Sequence, residues 1–180
     1  MAYGKDALTV EQFLDLPEAE QLHKELLGGS MVERGNAKAV HEIMKGLLCE
    51  ALTLHVARTG TLFVLSESMF RVTANDACIP DISVVRREWL SQVDPERRFP
   101  GAPLLAVEII SSESATRIAQ KIEIYLHGGA QAVWTLYPER KLMDVHYPGG
   151  RSRRLHAADS LTEPDILGDF ALPLSKLFPA

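Results

Sequence analysis

Leu104-Leu105-Ala106-Val107-Glu108-Ile109-Ile110 carries a single charge, in the middle of an otherwise wholly apolar run. The run reads as a strand buried on both faces. A carboxylate in that setting costs several kcal/mol unless it is paired, hydrogen-bonded or bound to metal. The best partner lies 27 positions upstream, where Asp81 opens a second apolar, β-branched strand, Ile79-Pro80-Asp81-Ile82-Ser83-Val84-Val85. Two strand carboxylates converging in one sheet point to a divalent-metal site.

The segment after Glu108 adds a cation. Ile118, Ala119, Ile122, Tyr125 and Leu126 form an apolar stripe on a helix expected over Ala115–His127, ended by Gly128-Gly129. Lys121 stands three residues after Ile118 and four before Tyr125, so it borders the buried face. A short connection packs this helix back on the sheet, with its lysine reaching toward the carboxylates. Two carboxylates hold Mg²⁺, which polarises a phosphodiester oxygen and lowers the pKa of bound water. An ammonium orients that water or offsets transition-state charge. Phosphodiester hydrolysis needs this set of groups.

Outward from this centre the pattern is α/β with a mixed sheet flanked by helices. Thr9 and Gln12 form a capping box for a short helix, and Pro17 suits the first turn of another. Glu25 precedes Gly28-Gly29, the turn of an expected hairpin. The longest helix is expected over residues 37–58, capped by Asn36 and stopped by Gly60, with Val40, Ile43, Met44, Leu47, Leu48, Ala51 and Leu52 as its buried stripe. Strands are expected at 61–66 and 68–72, then a turn at Asn75-Asp76, with Cys78 just before the Asp81 strand. Residues 86–103 read as a surface excursion with a short helix near 87–92. Strands at Ala132–Tyr137 and Leu142–His146 follow, joined by a turn at 138–141, and an apolar tail spans 172–178.

At 180 residues, 46% hydrophobic and 24% charged, the chain is expected to fold as one domain over residues 1–180, with a helical N-terminal extension at about 1–23. No apolar run is long enough to span a bilayer, and residues 1–6 lack signal-peptide features, so a cytoplasmic location is expected. Cys49 and Cys78 have no zinc spacing and read as unrelated thiols. A net charge of −5 argues against a broad basic surface that binds nucleic acid unaided, while leaving room for a local basic cleft.

The ordered elements together resemble the PD-(D/E)XK nuclease superfamily and, within it, the Uma-type restriction endonuclease-like family. They are Glu25-Leu26-Leu27-Gly28-Gly29, His41, Pro80-Asp81, Val107-Glu108-Ile109-Ile110-Ser111, Lys121 to Gly129, Trp134 to Pro138, and Leu172 to Phe178. The resemblance implies a restriction endonuclease-like core and a Mg²⁺-dependent endonuclease acting on DNA, with Mn²⁺ as a substitute. It implies Asp81 and Glu108 as metal ligands and Glu25 as an accessory acid that completes or orients the metal shell. Lys121 takes the part of the lysine usually found at the position of Ile110. A homodimer, or a partner, would let such a nuclease cut both strands. Three positions depart from the family pattern: Ser30 and Tyr137, each often an acid, and the Ser111-Ser112-Glu113 loop.

Structural alternatives stand beside these readings. Glu108 and Lys121 also fit a buried ion pair, Glu25 an exposed hairpin residue, and His41 a packed, hydrogen-bonded histidine. Tyr125 and Trp134 fit core positions, Ser111 and Ser112 a helix cap, and Pro164-Asp165 a decoy of the Pro-Asp motif. The clusters around Arg86, Arg97 and Arg151–Arg154 read as solvated charge unless they line the same cleft. The competing function is a non-catalytic module that keeps the fold and binds nucleic acid or protein; a third is a metal-dependent hydrolase of another phosphoester.

Overall fold

The computed structural model describes residues 7–94, 97–111 and 113–178. In chain order the elements are α1 (Val10–Leu14), α2 (Glu18–Gln21), β1 (Lys24–Leu27), β2 (Ser30–Glu33) and α3 (Ala39–Thr59), then β3 (Leu62–Ser66), β4 (Phe70–Thr73), β5 (Asp76–Cys78), β6 (Ile82–Arg86) and α4 (Arg87–Leu90). They continue through β7 (Phe99–Pro100), β8 (Leu105–Ile109), α5 (Ala115–His127), β9 (Ala132–Tyr137), β10 (Leu142–His146), β11 (Ser152–His156), β12 (Ser160–Thr162), α6 (Pro164–Leu167) and β13 (Ala171–Pro173).

The two acid-bearing strands are neighbours, as expected. The main sheet runs β11-β10-β9-β8-β6-β3, and β6 pairs antiparallel with β8 through Ile82↔Val107. β8 and β9 are parallel, which requires a crossover, and α5 supplies it. A second sheet, β2-β1-β5-β4-β7, brings the Glu25 hairpin alongside, and β12-β13 form a small ribbon. The β1–β2 turn places Gly28 and Gly29 at φ 59° and 75°, the left-handed conformation that a two-residue hairpin loop demands.

Alternation along β8 divides the core. Val107 and Ile109 join Trp134, Leu136 and the α3 residues Met44, Leu48 and Leu52 on one face. Ala106 joins Val133, Ile124 and Tyr125 on the other. Glu108 therefore points to the α5 side. Gly128 lets the end of α5 come close to β4, since a Cβ there would lie 2.2 Å from Val72 Cγ1. On the second sheet, Val10 and Phe13 of α1 pack with Leu26, Met69 and Ala77, and the expected Thr9–Gln12 capping box is present. Residues 1–6 of the expected extension lie outside the described residues.

Four expectations change. α3 is not a one-stripe helix: Ile43 and Leu47 are exposed, with Leu54, while His41 and His55 are buried. Both helix faces carry apolar residues, so the sequence did not mark the inner one. The α3 N-cap is Lys38, without a side-chain cap bond, rather than Asn36. Cys78 lies inside β5, fully buried, rather than ahead of a strand, and Asp76 opens that strand rather than forming the turn. The Arg151–Arg154 cluster belongs largely to β11, the edge of the main sheet, and Arg151 and Arg154 are exposed there, in keeping with the expected solvated charge. No helix among the described residues is long and apolar enough to cross a membrane.

Candidate active site

Strand register fixes Asp81. Its N–H donates to the Val107 carbonyl (3.0 Å) as β6 begins, and its Oδ2 accepts from the Ile109 N–H (2.7 Å). Glu108 lies one residue before that donor, so both acids stand at one end of the β6–β8 pair. Lys121 and Tyr125 are one turn apart on the buried face of α5, and both reach the same atom. Lys121 Nζ lies 2.8 Å from Glu108 Oε1, which also accepts from the Tyr125 hydroxyl at 2.8 Å. Glu25 completes a triad from the second sheet, with its oxygens 3.1 and 3.2 Å from Lys121 Nζ. Glu25 Oε1 also accepts from the Ile79 N–H at 2.6 Å. Asp81, Glu108, Lys121 and Glu25 are each at most 5% exposed. The expected acid–acid–lysine set thus converges, and Glu25 is not the exposed hairpin residue of the alternative reading.

A second set of groups faces Asp81 across a cleft of about 200 Å³ lined by Asp81, Glu108 and Lys121 among others. His41 Nε2 lies 3.2 Å from Asp81 Oδ1, and Arg34 lies 3.6 Å from the same oxygen. Arg34 also approaches Glu67 (3.7 Å), which Lys45 pairs at 3.1 Å. Glu113 lines the cleft too. Arg34 and Glu67 escaped the sequence reading because they stand on loops whose course only the tertiary fold sets, and Lys45 because its reach from within α3 depends on how that helix crosses the sheet. Glu67 even adopts a left-handed φ of 48°. The one sequence signal was the hairpin register, which sets the Arg34 N–H on the His23 carbonyl (2.8 Å) at the cleft mouth.

Charge crowding perturbs these groups. Burial pushes Glu108 up to about 8; the Lys121 ammonium opposes this, and the charges of Asp81 and Glu25 add to it. Lys121 is raised: burial works against its charge, but Glu108 and Glu25 outweigh it. Burial would raise Asp81 as well, yet the hydrogen bond and charge of His41, with the Ile109 N–H, hold it below the ordinary carboxylate value. His41 is raised, because Asp81 overcomes the opposing effect of burial.

Among the described residues no three His, Cys, Asp or Glu side chains form a metal-holding group. Glu25 is engaged by Lys121 and the Ile79 amide, so it bears on the cleft through the ammonium. Asp81 and Glu108 remain as hard oxygen donors on one cleft. One or two carboxylates, completed by substrate oxygens and water, is the usual complement for Mg²⁺, so this donor set fits that ion.

The remaining candidates fall outside this cluster. Ser111 lines the cleft, Ser112 lies outside the described residues, and the α5 N-cap is Ser114. Pro164 and Asp165 begin α6. Trp134 is fully buried, as expected, and its Nε1 donates to Glu163 at 3.4 Å.

Similarity to known proteins agrees with the architecture. No curated protein matches the chain. Among solved structures, "a putative nuclease belonging to DUF820 from Anabaena variabilis ATCC 29413" superposes with a TM-score of 0.84 at 21% identity, covering 95% of this chain and 97% of that one. At that identity the likeness speaks for the fold, a restriction endonuclease-like α/β core with mixed sheets flanked by helices. A family match spans residues 10–175, nearly the whole chain. The chain belongs to the Uma2 family, described as "Putative restriction endonuclease".

Proposed function

We propose that this protein is a Mg²⁺-dependent endonuclease that hydrolyses DNA phosphodiester bonds, with Mn²⁺ as a substitute. The observation that carries the reading is the opening of Asp81 and Glu108, from adjacent strands, onto one cleft with Lys121 2.8 Å from Glu108. When bound, the metal would polarise a phosphodiester oxygen and lower the pKa of its water. Asp81 and Glu108 would hold it. The Ile109 amide and His41 keep Asp81 ionised and aimed. Lys121 presents a fixed positive charge to the phosphoryl group. Glu25 is the accessory acid, holding that ammonium in place, and Tyr125 holds Glu108.

We place the protein in the cytoplasm. Cutting both strands of a duplex requires two clefts, and the exposed Ile43, Leu47 and Leu54 of α3 offer a surface on which two copies would pair as a homodimer.

A specific observation favours a second reading. Lys121 already pairs with both Glu25 and Glu108, so the triad also fits a structural ion cluster suited to a non-catalytic binding module. Calorimetry with Mg²⁺ or Mn²⁺, wild type against Asp81→Ala/Glu108→Ala, decides between them. Binding by wild type alone, followed by cleavage of plasmid, single-stranded DNA or RNA, is the expected result. A folded wild type that neither binds metal nor cleaves nucleic acid would favour the module.

A further inference from the structure

The catalytic cleft is one end of a longer trough. It shares Ser111 and Glu113 with a cavity of about 420 Å³. That cavity shares Ile122 with a further one of about 350 Å³. One wall is α5, where the exposed Ala115 and Ala119, one turn apart, leave space above Ile118 and Ile122. The other wall is the face of β9, β10 and β11 that looks toward α5.

Strand register puts a tyrosine next to the chemistry. Glu108 pairs with Thr135 across the parallel β8–β9 ladder, so Tyr137 shares the face of Glu108. Strand spacing sets their Cα atoms on the order of 8 Å apart. Tyr137 pairs in turn with Leu142, and β10 then leads roughly 13 Å along the trough to His146, which shares this face. The Arg151 guanidinium lines that far end; it lies 5.3 Å from the ring centroid of Tyr147, whose hydroxyl turns to Glu163 on the opposite face. Arg140 and Arg154 line the stretch between, with Arg154 fixed by two hydrogen bonds to Asp144 at 2.7 and 2.8 Å.

We infer that this trough holds an unpaired polynucleotide strand leading away from the cleft, so that the substrate is single-stranded or locally melted nucleic acid. Its role as substrate rests on the nuclease reading. A tyrosine ring flanked by guanidiniums is what a single strand uses: every base offers a face to stack on, and the cations track the backbone. A closed duplex keeps its base faces stacked on one another and cannot offer them to a tyrosine. Glu113, Glu123 and Glu139 also line the trough, so stacking rather than charge supplies the hold. That agrees with a chain of net charge −5. It also makes one cleft sufficient for a cut. Tyr137 stands where the family pattern often has an acid, which makes this preference a property of the present chain.

The test is fluorescence anisotropy of the full chain without divalent metal. The probes are a labelled single-stranded DNA of about 12 nucleotides, its RNA counterpart and its blunt duplex. Single strands should bind at least about tenfold tighter than duplex, and Tyr137→Ala should weaken them about 5- to 150-fold, the measured range for one lost stack. Tyr137→Phe should retain binding. Ala119→Gln, which adds bulk to the trough without removing a core contact, should weaken it as well. Tighter RNA than DNA binding would leave the trough standing and change the sugar. Equal duplex binding, no binding to any probe, or unchanged affinity in both Tyr137→Ala and Ala119→Gln would overturn the inference. Cleavage with Mg²⁺ separates the two claims. Tyrosine-dependent binding without Asp81-dependent cleavage would overturn the nuclease reading alone. Asp81-dependent cleavage of duplex, indifferent to Tyr137, would overturn the trough alone.

Discussion

Glu108 and Glu163 are both glutamates buried to within 4% of full enclosure, on opposite faces of the main sheet, and they are satisfied in different ways. Glu163 accepts from the Tyr147 hydroxyl (3.0 Å) and Trp134 Nε1 (3.4 Å), with the Arg153 guanidinium at 3.7 Å. It is one acid with one cation and two neutral donors, and its charge is balanced. Glu108 divides a single ammonium with Glu25, and Asp81 and Glu113 add negative charge nearby. Burial of an acid is therefore not what marks the candidate site. The mark is a surplus of carboxylates over cations at the edge of a cleft, which a divalent cation would relieve and which weighs on the fold without one.

The contrast is broken most severely at the shared cation. Lys121→Ala should lower turnover about a hundredfold or more while metal still binds, read by steady-state kinetics beside calorimetry; unchanged turnover removes the lysine from the mechanism. Glu163→Gln should cost roughly 2 kcal/mol, a melting temperature lower by about 4–8 °C, with kcat at saturating nucleic acid unaltered. If kcat collapses, the two acids are not functionally distinct. The smallest effect is expected at Glu108→Gln, which should raise the metal-free melting temperature by a few degrees at pH 8. Glu108 is raised from its ordinary 4.5 to about 8 in the folded protein, so the native state binds the extra proton between those values and wild-type stability falls as pH rises through that window. The variant lacks this slope, and its advantage should vanish below pH 4.5. A large loss of stability instead would make Glu108–Lys121 a structural ion pair first.

The parts of this arrangement that were legible are those with strong local signals. α5 and β9 fall within their expected bounds because α5 has one apolar face, β9 is apolar on both, and each ends at a glycine or proline. Asp81 and Glu108 stood out because a charge inside an apolar strand is costly wherever the strand lies. β11 stayed hidden because alternate positions are exposed and its Ser152-Arg153-Arg154 start resembles a solvated loop. β7 and β12 are too short to show a period. α3 misled because Ile43 and Leu47 continue an apolar pattern into solvent. His41 was visible as a motif residue, but its bond to Asp81 depends on how α3 crosses the sheet. Arg34, just after β2, depends instead on how the hairpin of the second sheet meets the start of β6.

Gly128 sits two turns beyond Lys121 and touches nothing in the cleft, yet it sets a tolerance for the whole helix. With no side chain between it and Val72, α5 seats against β4 as a rod against its stop. Any methyl group there acts as a shim, displacing the rod along or away from the sheet. Lys121 and Tyr125 ride on the same rod, and each meets Glu108 Oε1 at 2.8 Å. The fit of an ammonium to two carboxylates is thus gauged at a position that chemistry alone would never single out.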